Sequence, residues 1–357
     1  MKSLKSHYSD SPPATVVADR DGGLMSRADG THLRLLHLLK QQQGAYLLES
    51  RLASLLALSQ TSVRNQVQSL KSLGYKIISH PAKGYSLTEV PDLLIAEEIV
   101  PHLRTSWLIP SYHHYRRIGS TNDQALLLAA QGAEHGTVVV AEEQTKGRGR
   151  MQRSWFSPAG SGIYLSVILR SPLPVQEAPQ SAMVVGLALV KVLREHYGLQ
   201  ATLKWPNDVL IRGKKVAGIL ADMQSDQEHT RLIVIGIGIN VNHGGIHPAE
   251  PFRYPATSLA LELGAPVKRR DVLLGLIHRF ETEYEFFMTN GFAAMLPEFE
   301  EASAILGKQL RIQSGKEELL GKALGFTPEG ALRLLRGDGK EEIIWVGDVM
   351  RVEGFRY

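Results

Sequence analysis

Cysteine is absent from the 357 residues of the sequence, which excludes disulfide frameworks, cysteine zinc sites and catalytic thiols. Apolar runs near the roughly 18–20 residues of a membrane helix are also absent. Residues 1–30 lack the apolar core of a signal peptide. We therefore expect a soluble, cytoplasmic protein with no membrane partner. The hydrophobic share of 43% is ordinary for a globular chain, and the length predicts two or three domains.

Acidic residues are scarce in one short segment, where the positive charge is concentrated. The formal net charge of the whole chain is only +4. Residues 31–88 nevertheless carry +6, because their single acid, Glu49, stands against seven basic side chains: Arg34, Lys40, Arg51, Arg64, Lys71, Lys76 and Lys83. A polyanion such as DNA is the partner that this distribution favours. A solvated basic surface is the alternative on charge alone.

The same segment has the pattern of a winged helix-turn-helix. Helical spacing of leucines begins at Leu33, a second short helix follows near residues 49–56, and Ser59 is placed to cap a third helix over 60–73. Two β-prone runs around residues 80–83 then predict a hairpin or wing. We predict this fold for residues 31–88, preceded by a disordered tail at 1–30.

The third helix of such a fold enters the major groove of DNA, while nearby lysines contact phosphates. A small helical packing or dimerisation module is the alternative interpretation. The predicted DNA contacts are Gln60, Thr61, Ser62, Arg64, Asn65, Lys71 and Lys83.

An α/β pattern begins near residue 91. The expected helices cover 120–131, 178–197 and 271–288, and the expected strands cover 137–141, 162–169, 202–205, 215–221 and 232–239. From about residue 306 the chain consists of five or six short β-prone runs separated by glycines, which predicts a small barrel of roughly 50 residues. We therefore expect one domain over 89–303 and another over 304–357.

The first segment that carries chemistry is 143–156, EQTKGRGRMQRSWF, in which glycine and arginine alternate at 147–150. Glycine lets the backbone approach an anion and arginine forks bind it. Trp155 and Phe156 could wall the same site. A flexible basic loop is the alternative, but the position of the run between two predicted strands favours a ligand-binding loop.

Two further segments place polar side chains at strand ends. Residues 204–208 read KWPND, where Asn207 and Asp208 could fix a polar ligand or a hydrated magnesium ion; a simple turn is the alternative. Lys215 follows a predicted hairpin turn at 212–214 and precedes a buried apolar run, although an ordinary edge-strand charge would fit as well.

Residues 236–240, GIGIN, lack the third glycine of a dinucleotide-binding loop. We interpret them as a buried strand that delivers Asn240 to a site. His243 and His247 have metal-like spacing, but they flank a Gly-Gly pair, and we expect solvated loop histidines rather than ligands.

Together these segments supply many cations and few carboxylates. Such a pocket suits two anions that must react, for example a carboxylate attacking a nucleotide phosphate, because fixed cations offset their repulsion. The cations are Arg148, Arg150, Arg153, Lys204 and Lys215.

The ordered motifs at 147–158, 204–208, 215–220 and 238–240 are similar to those of biotin protein ligases. The N-terminal module, with KGYSL at 83–87, resembles the DNA-binding domain of the bifunctional form, the biotin-operon repressor. The resemblance spans 31–357. It implies an α+β multidomain fold: a winged helix-turn-helix, a central α/β domain with a mixed sheet like that of class II aminoacyl-tRNA synthetases, and an SH3-like C-terminal β-barrel.

The resemblance also implies a two-step reaction. Biotin and Mg-ATP form biotinyl-5′-AMP, and a lysine of the biotin carboxyl carrier domain of acetyl-CoA carboxylase then accepts the biotin. Operator DNA and a second copy of the chain are the other implied partners, since repression at two half-sites calls for a homodimer. No dedicated metal site is implied; magnesium would come with ATP, near Asp208.

By motif position the resemblance assigns Lys215 and Arg150 as catalytic, with Lys215 acting as an electrostatic clamp. The implied biotin-binding residues are Ser120, Thr121, Asn122, Gln144, Arg148, Gly149, Arg150 and Lys215. The implied ATP-binding residues are Arg148, Arg153, Trp155, Asn207, Asp208 and Asn240, with Trp155 covering the adenine.

Gln152 stands where the family loop has a glycine, so we expect slower or differently shaped loop closure. Three alternatives stay open. The chain could be a lipoate or octanoate ligase, a DNA-binding sensor of biotinyl-AMP without transfer activity, or a ligase with a vestigial DNA module.

Overall fold

The structure is a computed structural model that describes residues 15–16, 30–170, 173–175, 177–225, 230–244 and 255–355. Most of the tail expected at residues 1–30 lies outside the described residues. Strand β1 (Thr15–Val16) pairs in parallel with residues 111–112 at the edge of the large sheet. Among the described residues no helix is long and apolar enough to span a membrane.

The N-terminal segment forms three helices and a hairpin, as the sequence predicts. They are α1 (Gly30–Gln41), α2 (Glu49–Leu56), α3 (Gln60–Ser72), β2 (Lys76–His80) and β3 (Gly84–Glu89). The Ser59 hydroxyl accepts a hydrogen bond from the Ser62 N–H and so caps α3. Val63, Val67 and Leu70 are the buried stripe of that helix. The antiparallel hairpin β2–β3 is called the wing below.

A short linker joins the winged helix to the next domain, and a buried carboxylate lies at the junction. Helix α4 (Ala96–Ile99) contains Glu98, whose side chain is only 2% exposed. Lys40 Nζ donates to its carboxylate at 2.8 Å, and the Tyr75 hydroxyl also donates to it. Arg270 approaches from the catalytic side at 3.5 Å. One carboxylate therefore connects the two domains.

The central domain is built on a mixed sheet of eight strands, in the order β1-β4-β5-β6-β10-β9-β8-β7. Its elements are β4 (Ser111–Tyr115), α5 (Thr121–Ala130), β5 (Val138–Ala141), β6 (Gly162–Leu169), α6 (Gln180–Tyr197), β7 (Ala201–Lys204), β8 (Asp208–Ile211), β9 (Lys214–Ser225), β10 (Thr230–Asn240), α7 (Leu259–Leu263), α8 (Arg269–Asn290) and α9 (Leu296–Glu301). Strands β1, β4 and β5 run parallel, and the pairings from β5 to β7 are antiparallel.

The apolar character of α6 explains its place in the core. Most of its residues from Gln180 to Leu193 are buried, as expected for a helix that is apolar on most sides. It packs against α8 and covers strands β7 to β9. The opposite face of the sheet carries α5, whose Ala125 and Ala129 are buried in a smaller cluster with Val234. Helices therefore pack on both faces of the sheet.

The C-terminal segment forms one antiparallel sheet in the order β14-β13-β12-β11-β15. Its strands are β11 (Gln309–Ser314), β12 (Glu317–Phe326), β13 (Leu332–Arg336), β14 (Glu341–Ile344) and β15 (Asp348–Val352). Alternate residues of β12 are buried, which is the period of a strand with one buried face. The three-part fold class predicted from the sequence is confirmed.

The sequence did not predict several short elements. Strand β4 and the short helices α4, α7 and α9 were missed. Strand β8, which begins at the last residue of the KWPND motif and ends before the predicted hairpin turn, was missed as well. That turn is present, with positive φ angles at Arg212 and Gly213. Elements of four to six residues carry too little periodicity to be recognised.

Candidate active site and DNA-contacting face

A cavity of about 460 Å³ lies over strands β9 and β10, beside the start of α5. Every residue that the resemblance assigned to biotin or ATP lines it, although the segments that supply them are far apart in the chain. The sequence did not assign several other lining residues: Gly218, Gly236, His243, Thr257, Leu261 and Asp348. Where each ligand group binds remains a prediction.

Neutral polar groups form one end of the cavity, next to the start of α5. Gln144 Oε1 accepts hydrogen bonds from the Thr121 N–H at 2.8 Å and from its hydroxyl at 3.1 Å. Asn122 Oδ1 accepts from the Ser166 hydroxyl at 2.6 Å, and Asn122 Nδ2 donates to Asp222 at 3.0 Å. A Cβ at Gly236 would lie 2.1 Å from Asn122 Oδ1, so only glycine admits this amide. These groups are held in place and suit a neutral, polar ligand head group.

Two lysines share one buried carboxylate on the hairpin β7–β8. Asp208 lies 2.5 Å from Lys215 Nζ and 3.3 Å from Lys204 Nζ. Burial would raise the pKa of Asp208, but both lysines outweigh it and hold that pKa below its usual range. Burial lowers the pKa of Lys204 to about 8, even though Asp208 opposes that shift. The group retains excess positive charge at neutral pH, which suits an anionic ligand.

The arginine loop (residues 147–153) is held by carboxylates from two different domains. Arg150 Nη1 lies 3.1 Å, and Arg153 Nη2 2.5 Å, from Asp348 of β15 in the C-terminal sheet. Arg148 instead pairs with Asp123 at 2.8 Å and Asp222 at 2.6 Å. Within the loop Met151 takes left-handed backbone angles, with φ of 53°. The cavity wall therefore depends on the C-terminal domain.

Trp155 lies on the floor of the cavity. Gly218 of β9 and Gly238 of β10 are paired in register, and a Cβ at Gly238 would come within 2.4 Å of the indole ring. Lys215 Nζ is 5.2 Å from the ring centroid. The indole N–H is buried and has no hydrogen-bond partner within the described residues. That Trp155 covers adenine, as the resemblance implies, stays a prediction.

His243 corrects the sequence interpretation of a solvated loop histidine. Its ring lies edge-on to Phe156, with centroids 5.9 Å apart, and its Nε2 is 3.4 Å from the Tyr164 hydroxyl. Burial lowers its pKa to about 4, so the ring is neutral at physiological pH. The ring is half-buried and in contact with Phe156, which its Gly-Gly neighbours did not indicate. His247 lies outside the described residues.

A fully buried arginine supports the cavity from behind. Arg269 is 0% exposed; its Nη1 donates to Glu142 at 2.7 Å and to the Gly162 carbonyl at 3.1 Å. Its Nε pairs with Asp92 at 3.1 Å. Burial would raise the pKa of Glu142, but the hydrogen bond from His114 and the charge of Arg269 hold it at about 2. Because Glu142 precedes Gln144 by two residues, this network fixes the strand end that leads into the site.

The donor set of the cavity does not form a metal cage. No group of three or more His, Asp or Glu side chains that could hold a metal ion occurs within the part of the chain that the structure describes. The carboxylate oxygens of Asp208 face the two lysines. A metal ion near Asp208 would need further ligands from a bound substrate.

The winged helix exposes most of the residues predicted to contact DNA. Gln60, Thr61 and Asn65 are solvent-exposed on α3, whereas the Ser62 hydroxyl lies 2.8 Å from that of Ser59 in the helix cap. Lys71 Nζ donates to the Ser79 hydroxyl at 3.0 Å. Contact with DNA remains a prediction for the whole set.

Arg64 and Lys83 make contacts that the sequence did not predict. The Arg64 guanidinium forms an ion pair with Glu49 at 2.9 Å. Lys83 Nζ lies 5.8 Å from the ring centroid of Tyr46.

Known proteins contain both the winged helix and the domain with the cavity in one chain. Residues 115–240 match the model of the Biotin/lipoate A/B protein ligase family, and residues 31–86 match an HTH domain. The chain is 35% identical over 309 residues to the bifunctional ligase/repressor BirA of Bacillus subtilis, covering 87% of this chain and 95% of that protein. It is 31% identical over 307 residues to the BirA of Escherichia coli, covering 86% and 92%.

A solved structure with similar coverage of the catalytic part is the biotin protein ligase of Aquifex aeolicus in complex with biotin and ATP. It has a TM-score of 0.58 and 30% sequence identity, and the match covers 66% of this chain and 96% of that one.

Proposed function

This chain belongs to the Biotin/lipoate A/B protein ligase family, and we propose that it is a biotin protein ligase that also acts as a DNA-binding repressor. It activates biotin with ATP to biotinyl-5′-AMP and transfers the biotin to a lysine of the carrier domain of acetyl-CoA carboxylase. The observation that carries the proposal is the convergence of Lys204, Lys215, Arg150 and Arg153 beside a neutral polar array in one cavity.

The two ends of the cavity divide the substrates between them. The neutral head group of biotin binds at Ser120, Thr121, Asn122 and Gln144, and its carboxylate reaches Lys215. The nucleotide takes the cationic end, with magnesium carried by the phosphates near Asp208. The remaining proposed contacts are Arg148, Gly149 and Arg150 to biotin, and Arg148, Arg153, Trp155, Asn207, Asp208 and Asn240 to ATP.

In the first step a biotin carboxylate oxygen attacks the α-phosphorus of ATP and pyrophosphate leaves. The reacting groups are both anionic, so Lys215 lowers the barrier by holding them together and stabilising the charge that develops. In the second step the neutral amine of the carrier lysine attacks the acyl carbon and AMP leaves. The arginine loop, covering the adenylate between the steps, excludes water that would hydrolyse the mixed anhydride.

The winged helix gives the protein its second role. Repression requires binding to operator DNA at two half-sites, for which we propose a homodimer. ATP, the carrier protein and operator DNA are all available in the cytoplasm, which is the compartment we propose. An adenylate sensor without transfer activity would bind DNA but release no biotinylated carrier, and a ligase with a vestigial DNA module would do the reverse.

A substrate comparison tests the ligase assignment. Pyrophosphate release is measured with biotin, lipoate and octanoate as alternative acids, for the wild type and for Lys215→Ala. We expect biotin to be strongly preferred and the variant to lose roughly 10²-fold or more, the scale of one charge-stabilising contact. Asp208 keeps Lys204 as a partner in the variant, so the site is not left with an unpaired carboxylate. A preference for lipoate or octanoate would contradict the assignment of biotin as the substrate and make the protein a ligase for the preferred acid.

A further inference from the structure

The single acid of the DNA-binding segment is bound to the arginine at the middle of the exposed face of α3. Glu49 is the only Asp or Glu in residues 31–88. Arg64 Nε donates to Glu49 Oε1 at 3.0 Å and to Oε2 at 3.2 Å, and Arg64 Nη2 lies 2.9 Å from Oε1. The carboxylate therefore faces the Nε–Nη2 edge of the guanidinium.

Glu49 is itself fixed from two directions. It is the first residue of α2, where the helix N-terminus favours a negative charge. The Tyr85 hydroxyl, from the wing, donates to Glu49 Oε2 at 2.9 Å. Tyr85 is buried, and its backbone exchanges hydrogen bonds with Leu47 just before α2. Helix α2, helix α3 and the wing thus meet at one carboxylate, which holds the arginine at a defined angle.

The outer edge of Arg64 is available to a ligand. The side chain is 62% exposed, and Gln60 and Thr61 lie one helical turn before it on the same exposed face. Because the guanidinium is planar, a carboxylate on the Nε–Nη2 edge leaves the Nη1–Nη2 edge for a second, bidentate ligand. The contacts of Arg64 with Glu49 use Nε and Nη2.

The neighbouring carboxylate decides which ligand suits this edge. A phosphate would bring a second anion towards Glu49, and their repulsion would weaken the contact. A base edge is uncharged, and guanine offers two acceptors, O6 and N7, at the spacing of the arginine fork. We propose that Arg64 reads a guanine in the major groove, and that Glu49 and Tyr85 are positioning residues for it. The inference rests on the proposed repressor function.

Selection from random duplexes tests it, using the full-length protein with biotin and Mg-ATP. For the wild type we expect a half-site with a preferred guanine, where 7-deazaguanine, which lacks N7, weakens binding at least about fivefold. The Arg64→Met variant should bind the guanine duplex and the 7-deazaguanine duplex with equal affinity. Glu49→Gln should discriminate at least threefold less well while its overall DNA affinity stays equal or rises, because the segment gains positive charge. Tyr85→Phe should act in the same direction but less.

The control variant is Lys83→Met on the wing, which should weaken binding to all sequences alike and keep the guanine preference. Biotin-dependent pyrophosphate release by each variant reports that the chain is folded. A selected site whose preferences are the same in Arg64→Met overturns the guanine assignment, and a uniform loss of affinity in Glu49→Gln overturns the positioning role. A wild type that selects no sequence overturns the repressor function as well, which separates the two failures.

Discussion

Gly238→Ala is the substitution that most directly tests the floor of the cavity. The structure leaves no space for a methyl group there, because the new Cβ would lie 2.4 Å from Trp155 Cε2 and Nε1. Carbon atoms pack at about 3.5–4.0 Å, so the indole would have to move by roughly 1 Å or more. Lys215 Nζ lies over the ring of Trp155. A shift of the indole would therefore also change the position of that ammonium group.

The expected cost is mainly catalytic. A misplacement of about 1 Å can lower a rate by roughly 10²-fold, so we expect that loss in kcat/KM for pyrophosphate release. Overpacking costs about 1–3 kcal/mol in a closed core, and we expect the lower figure because Trp155 is only half-buried and belongs to a loop. Measuring KM for biotin and ATP separately shows which substrate the indole contacts.

Gly244→Ala is the matched control, since nothing lies within 4 Å of its Cβ position just beyond the end of β10. It should retain the wild-type rate. If Gly238→Ala stays within threefold of the wild type while the protein remains folded, the indole does not organise this site, and the argument from the two paired glycines is refuted.

Three other substitutions have outcomes fixed by the contacts around them. Arg269→Met leaves Glu142 buried without its charge partner and should lower the free energy of unfolding in urea by about 3–5 kcal/mol; a loss under 1 kcal/mol would contradict that. Since the pKa of Glu142 is held at about 2, below its unfolded value, the wild type should lose about 3 kcal/mol as pH falls from about 4.5 to about 2, and the variant much less. Arg150→Gly should release adenylate that biotinylates exposed lysines of bystander proteins, whereas unchanged carrier selectivity would show that the loop does not retain it. Glu98→Gln should cost about 1–3 kcal/mol and speed proteolysis of the linker between the first two domains, and an unaltered cleavage rate would show that the carboxylate does not fix their junction.

Much of the site could be predicted because its residues come in short local runs. The GIGIN sequence predicted a buried strand ending at Asn240, and that strand is β10. The arginine loop and the KWPND hairpin could also be located from the sequence, because glycine, proline and turn residues mark strand ends. The family resemblance was needed to predict which of these side chains lie in the same binding site.

The remaining contacts depend on pairs that are distant in the chain. Asp348 reaches the arginine loop from almost 200 residues away, and no local pattern distinguishes it from another strand-end acid. Arg269 stands in a run of basic residues that resembles a solvated helix start, yet the fold buries it completely. The partial burial of His243 likewise depends on its contact with Phe156 and not on its own neighbours in the chain.

Intact-mass spectrometry of a biotin carboxyl carrier domain tests the central claim most directly. The domain is incubated with this protein, biotin and Mg-ATP, and in parallel with Lys215→Ala. We predict a single biotin adduct with the wild type and none with the variant over the same period. An unmodified carrier, in a reaction that nevertheless forms biotinyl-AMP, would contradict the transfer step and leave an adenylate sensor as the function.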